Sequence, residues 1–122
     1  MRIALHLDAT TAGLTAAIGA LQRANVEEMR TLRTSSSRRS ILDGTVRYRR
    51  EPIGREDWRT RERVLLDGWG DCEDLAAALA AELEVAGYPA HAVVRRAHGG
   101  RGYHAVVRLH GRELDPSRWL GM

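Results

Sequence analysis

The sequence predicts an α+β domain in which a helix opening on a cysteine packs on a small antiparallel sheet, the whole preceded by a strand and a helix. Three stretches carry this expectation. "DCEDLAAALAAEL", from Asp71, has the cap and the four-residue leucine repeat of a helix. "HAVVRRA" and "YHAVVRLHG" are β-rich runs joined by the glycine-rich "HGGRG", the pattern of a hairpin. "RIALHLD", at the start, alternates apolar and polar residues with strand periodicity.

In chain order, Ile3, Leu5 and Leu7 share one face of the first strand. A helix follows from Thr10 or Thr11, either of which can cap it, with Leu14, Ile18 and Leu21 at helical spacing and an end near Leu32. "RTSSSRRS" has no period and reads as an exposed loop. A short strand through Val46 and Tyr48 is stopped by Pro52. "REDWRTRERVLLDG" reads as a short helix burying Trp58, Val64, Leu65 and Leu66, and broken by Gly68 and Gly70. In the next helix Asp71 is the N-cap, Asp74 is the capping-box acid, and Gly87 followed by Pro89 ends the run. "ELDPSRW" is expected to return antiparallel beside the last long strand.

A length of 122 residues suits one domain, residues 1–122. Within it, 1–32 form the first strand and helix, 33–45 a loop, and 46–122 the remainder. The formal charge is +3, carried by arginine with no lysine. The basic runs near Arg38 and Arg47 are interspersed with acids and lack an aromatic platform. They read as solvated surface or as an interface with an acidic partner, and nucleic acid is not the expected partner. One cysteine forbids an internal disulfide, no signal-peptide pattern opens the chain, and no apolar run approaches the ~20 residues of a membrane span. The expectation is a soluble protein made in a reducing compartment, with no cofactor.

Cys72 can be read in three ways. As the first helical residue it meets free backbone N–H groups and the positive end of the helix dipole, which favour a thiolate. As an unpaired cysteine it is equally a small apolar filler, and Asp71, Glu73 and Asp74 oppose ionisation. As a metal ligand it lacks company: HExxH, paired CxxC and helical His-x-x-x-His are all missing. A base would favour the first reading. His104 shares a strand face with Val106 and Arg108, and Asp115, eleven residues on, can return beside it to hold the imidazole in one tautomer. His91 is the rival base. His6, His98 and His110 read as solvated.

"GDCEDLAAALAAEL", "YHAVVRL" and "LDPS", in this order, resemble the Cys-His-Asp core of transglutaminase-like thiol hydrolases of the papain-like superfamily. With "VRYRREPIGREDW" and "YHAVVRLHGRELDPSRWLGM" added, the chain is similar over about residues 46–122 to small transglutaminase-like tail and virion proteins of tailed bacteriophages. The resemblance implies a papain-like, transglutaminase-like core with Cys72 as nucleophile, His104 as base and then acid, and Asp115 orienting His104. It implies an oxyanion site made of the Cys72 N–H and a second donor, for which the indoles of Trp58 and Trp69 are candidates, with Asp71 and Asp74 capping the helix. Two functions follow as expectations: a cysteine peptidase or acyltransferase acting through an acyl-enzyme, or a catalytically idle component of the phage tail that uses the fold as an interaction module. Its partners would be other virion proteins or a peptide substrate, with assembly alongside another chain, in the virion or in the host cytoplasm during assembly.

Overall fold

The structure of the chain, a computed structural model, describes residues 2–4 (backbone), 10–31, 39–51, 57–97 and 102–122. The expectations for Leu5, His6, Leu7, Leu32, Pro52, His98 and its turn, and residues 33–38 of the loop lie outside these. The described residues form an α+β fold, in chain order β1 (Arg2–Ala4), α1 (Thr11–Thr31), β2 (Arg47–Tyr48), β3 (Asp57–Arg59), α2 (Arg61–Asp67), β4 (Trp69–Gly70), α3 (Cys72–Val85), β5 (Ala90–Arg96), β6 (Tyr103–Leu109), β7 (Arg112–Leu114) and α4 (Pro116–Trp119). β5, β6 and β7 make an antiparallel sheet in that order, β1 pairs antiparallel with β3, and β2 pairs parallel with β4.

α3 is the centre of the molecule and packs on α1, β5 and β6. Its alanines from Ala76 to Ala78, with Ala80 and Ala81, are all buried, and their small side chains let neighbours approach from several directions. On the sheet, alternation sends Ala92, Val94, Ala105 and Val107 into this core. The opposite face carries His91, Val93 and Arg95 beside Arg108, Val106 and His104, their cross-strand partners. His110 and Gly111, both with positive φ, form the two-residue turn between β6 and β7, a conformation that gives the right twist to a tight hairpin.

α1 begins at Thr10, whose hydroxyl accepts the Gly13 N–H at 3.1 Å. Its buried face includes two polar residues that finish the sheet. Gln22 accepts the Ala92 N–H at 2.8 Å and donates to the Ala90 carbonyl at 2.9 Å, while Thr15 accepts the Val94 N–H at 3.0 Å and donates back to its carbonyl at 3.3 Å. These are the outward backbone groups of the edge strand β5, which would otherwise be buried without partners. Gln22→Leu strands two of them. It is therefore expected to cost about 2–6 kcal/mol in urea unfolding, at about 1–3 kcal/mol per buried unpaired group; a loss under about 1 kcal/mol would show that water replaces the amide.

Two readings of the sequence are corrected. Residues 57–59 are a strand and not the start of a helix: Trp58 lies opposite Ile3, and the Arg59 N–H goes to a carboxylate oxygen of Asp74 at 2.7 Å. The helix starts only at Arg61, after Thr60, whose hydroxyl caps it. Because α2 has just seven residues, the Val64-Leu65-Leu66 run wraps past its buried face, and Leu66 is 74% exposed. Gly68 closes α2 at φ 77°, where a side chain is strained. Gly70 has a different reason: a Cβ there would come within 3.1 Å of Leu75 Cδ2 and 3.2 Å of Asp74 Cβ, so its absence lets α3 start close against β4.

Candidate active site

The first turn of α3 is held by a reciprocal cap. Asp71 accepts the Asp74 N–H at 3.1 Å, and the Asp74 carboxylate receives the Asp71 N–H at 3.4 Å. Asp74 is fully buried and is also gripped by Arg59, whose Nε and Nη2 donate to Oδ2 at 3.3 and 3.2 Å. The same guanidinium donates to Asp67 and to the Trp69 carbonyl, lies 3.8 Å from Glu51, and stacks 3.7 Å from the centre of the Trp69 ring. Arg59 thus ties β3, the end of α2, β4 and the start of α3 to one cation. Nothing in its local sequence marks this role, since its partners are scattered along the chain.

Carboxylate oxygens of Glu51, Asp71 and Asp74 lie within 4.8 Å of one another, the arrangement among the described residues that comes nearest to a metal-ligand set. The Arg59 guanidinium supplies the positive charge beside it, pairing with Asp74 and facing Glu51. Burial first, then the charge of Glu73, pushes Asp71 up to about 8. Burial and then the charge of Asp71 push Asp74 up to about 7, against the pull of the Arg59 N–H and its charge.

Cys72 opens α3 and packs against the core with its side chain half-buried. Burial, then the Glu73 carboxylate, drives its thiol well above the ordinary range, while the backbone N–H of Ala105 draws it down. Glu73 is half-buried, which explains its grip on the sulfur. The contact with Ala105 follows from the sheet. Val94, opposite Ala105, gives its own N–H and carbonyl to Thr15, so this is a pair whose backbone groups face away from each other. The backbone of Ala105 therefore turns toward the side of β7, and β7 stops at Leu114, opposite Val107. The Ala105 N–H, beyond the end of β7, is the one that reaches the thiol.

The residue next to Ala105 is His104. Its Nε2 lies 2.8 Å from Asp115 Oδ2, and both side chains are largely buried. Asp115 is not on the returning strand but one residue past it, as the N-cap of α4, where its other oxygen receives the Arg118 N–H at 3.5 Å. With Nε2–H donated to the carboxylate, Nδ1 is left with its lone pair, the tautomer a base needs. Among the described residues no hydrogen bond joins Cys72 to His104. The structure thus assembles the imidazole–carboxylate pair on the face of β6 opposite the Ala105 side chain, and sets the thiol against the Ala105 backbone amide.

The other candidate residues have different surroundings. Trp58 is in the hydrophobic core at 2% exposure, and the Trp69 ring covers Arg59. His91 and His110 are exposed. Sequence reasoning did not single out Tyr48, which pairs with Gly70 two residues before the cysteine. Burial first, then the neighbouring Cys72 and Asp71, push its phenol up. The parallel pairing of β2 with β4 brings it there, and two-residue strands leave no periodic trace in a sequence.

Comparison with protein families, curated proteins and solved structures finds no match for this chain.

Proposed function

We propose that the chain is a transglutaminase-like thiol amide hydrolase or acyltransferase with a papain-like core, associated with the tail or virion of a tailed bacteriophage. The observation that carries the chemistry is the 2.8 Å bond between His104 Nε2 and Asp115, with Cys72 set against the amide of the residue next to His104. The phage context rests on the ordered motifs alone.

In this reading the His104 imidazole turns round the edge of β6 beyond the end of β7, and Nδ1 takes the Cys72 proton as sulfur bonds to an amide carbonyl carbon. The oxyanion is met by the N–H of Cys72 at the helix start and by the Tyr48 hydroxyl. Imidazolium then protonates the leaving amine as the C–N bond breaks, leaving an acyl-enzyme. Water or a second amine gives its proton to His104, attacks the thioester and frees the thiol. Because burial and Glu73 disfavour the free thiolate, proton transfer accompanies attack, and His104 has a large share of the work. Exposure to p-nitrophenyl acetate is expected to place one acetyl group on Cys72 by intact-mass analysis. Cys72→Ser should abolish it and His104→Ala should slow it by about 10²-fold. Equal acylation with and without the imidazole would defeat the enzymatic reading.

A second reading has its own support. A thiol held protonated, with no hydrogen bond to His104, also suits a retained but idle site in an assembly component that docks its arginine runs on acidic virion surfaces. That reading expects virions to survive Cys72→Ser and to be lost when exposed arginines such as Arg49 and Arg50 are replaced.

A further inference from the structure

Away from the cysteine, α1 and the outer edge of β5 enclose a groove of about 620 Å³, a size suited to a small organic ligand. Its walls include Gly19, Ala92 and Val93, and charged side chains stand around them. Arg23 and Arg108 make no ion pair or hydrogen bond among the described residues. Glu113, the carboxylate opposite Arg108 in the sheet, is taken instead by Arg95 through bonds of 2.7 and 3.1 Å. His91 lies directly across from Arg108. The acid in the groove, Glu84, is engaged by Gln22 at 3.0 Å. Two guanidinium groups with no direct ion pair or hydrogen bond among the described residues, and an imidazole, therefore line an apolar hollow.

Gly19 sharpens the argument. A glycine inside a helix costs about 1 kcal/mol relative to alanine. Packing does not demand it here, since an added Cβ would meet only the flexible tip of Arg23, at 3.5 Å. What glycine does at this position is keep the hollow open. Nor is the groove a berth for an added strand, because Gln22 and Thr15 already occupy the outward backbone groups of β5 from Ala90 to Val94. The occupant is compact.

We propose that the groove between α1 and β5 binds a small organic anion, a carboxylate or phosphate monoester with an apolar body, whose charge is held by Arg23 and Arg108 and whose body rests over Gly19. Arginine forks match both anions, so the two are separated by experiment. Titration of the labelled protein with 1-naphthyl phosphate and with 1-naphthoate, followed by NMR, is expected to shift the Gly19, Ala92 and Val93 amides saturably with at least one of them. The tighter probe identifies the anion class. Neutral 1-naphthol and inorganic phosphate should each bind at least about tenfold more weakly than that probe, and Arg23→Gln and Arg108→Gln should each weaken it by about tenfold. Gly19→Leu should abolish binding while thermal stability holds or rises, because leucine is the better helix former. The proposal is overturned if neither anion saturates these shifts by about 1 mM, if naphthol binds as well as the anions, or if folded Gly19→Leu binds unchanged.

Discussion

Replacing Arg59 by alanine is expected to destabilise the protein by about 3–5 kcal/mol, because it leaves the fully buried Asp74 beside Asp71 and Glu51 with no compensating cation. The loss has several parts: the fork on Asp74, the bonds to Asp67 and the Trp69 carbonyl, and the stacking on the Trp69 ring. Arg59→Lys keeps a charge but cannot reach all of these at once, so it should fall between wild type and alanine. The effect also depends on pH. Asp71 and Asp74 have folded values near 8 and 7, above the ordinary 3.8. Between about pH 4 and 8 the folded state therefore binds more protons than the unfolded one, and stability falls as pH rises. Without Arg59, Asp74 loses the charge that opposes this shift, so Arg59→Ala should cost more at pH 8 than at pH 5. Urea unfolding at both pH values measures it. A loss below about 1 kcal/mol, equal at both, would mean that water solvates Asp74 and that the cluster does not brace the start of α3.

That brace was the part of the site least visible in the sequence. The elements that were legible carry local signals: the cap and leucine repeat of α3, the paired β-rich runs, and the turn at His110-Gly111 that sets the register bringing Asp115 to His104. Arg59 has no such signal, because Glu51, Asp67 and Asp74 meet it through tertiary packing alone. Trp58 falls in a run, "REDWRTRERVLLDG", that reads as one helix with Val64, Leu65 and Leu66, and the true cap, Thr60, lies inside that run. The role of Gln22 was hidden for a related reason. A glutamine on an apolar helix face looks like a defect until the edge strand it completes is known.

Asp115→Ala is expected to lower the rate of Cys72 acylation by about 10²–10³, since His104 then loses the partner that fixes its tautomer and orientation. The same change removes the α4 cap, worth about 1 kcal/mol, so a fall in stability accompanies it. Asp115→Asn separates the two effects. Its single amide oxygen can stay on the Arg118 N–H and cap α4, but its NH2 then faces Nε2 and favours the wrong tautomer, so it should keep stability while acylation falls about as far as in alanine. An asparagine variant reacting at the wild-type rate would show that the carboxylate is not what orients His104. If both reacted at the wild-type rate, Asp115 would be a helix cap and nothing more.

The central claim is that His104 activates a thiol that its surroundings hold protonated. The pH dependence of Cys72 alkylation by iodoacetamide, followed in wild type and in His104→Ala, tests it most directly. Wild type should react rapidly near neutral pH, far below the range in which the buried thiol ionises by itself, and His104→Ala should lose that neutral phase and react only as the thiol ionises at high pH. Two coincident curves, both rising only at high pH, would contradict the account and leave Cys72 as packing at the start of a helix.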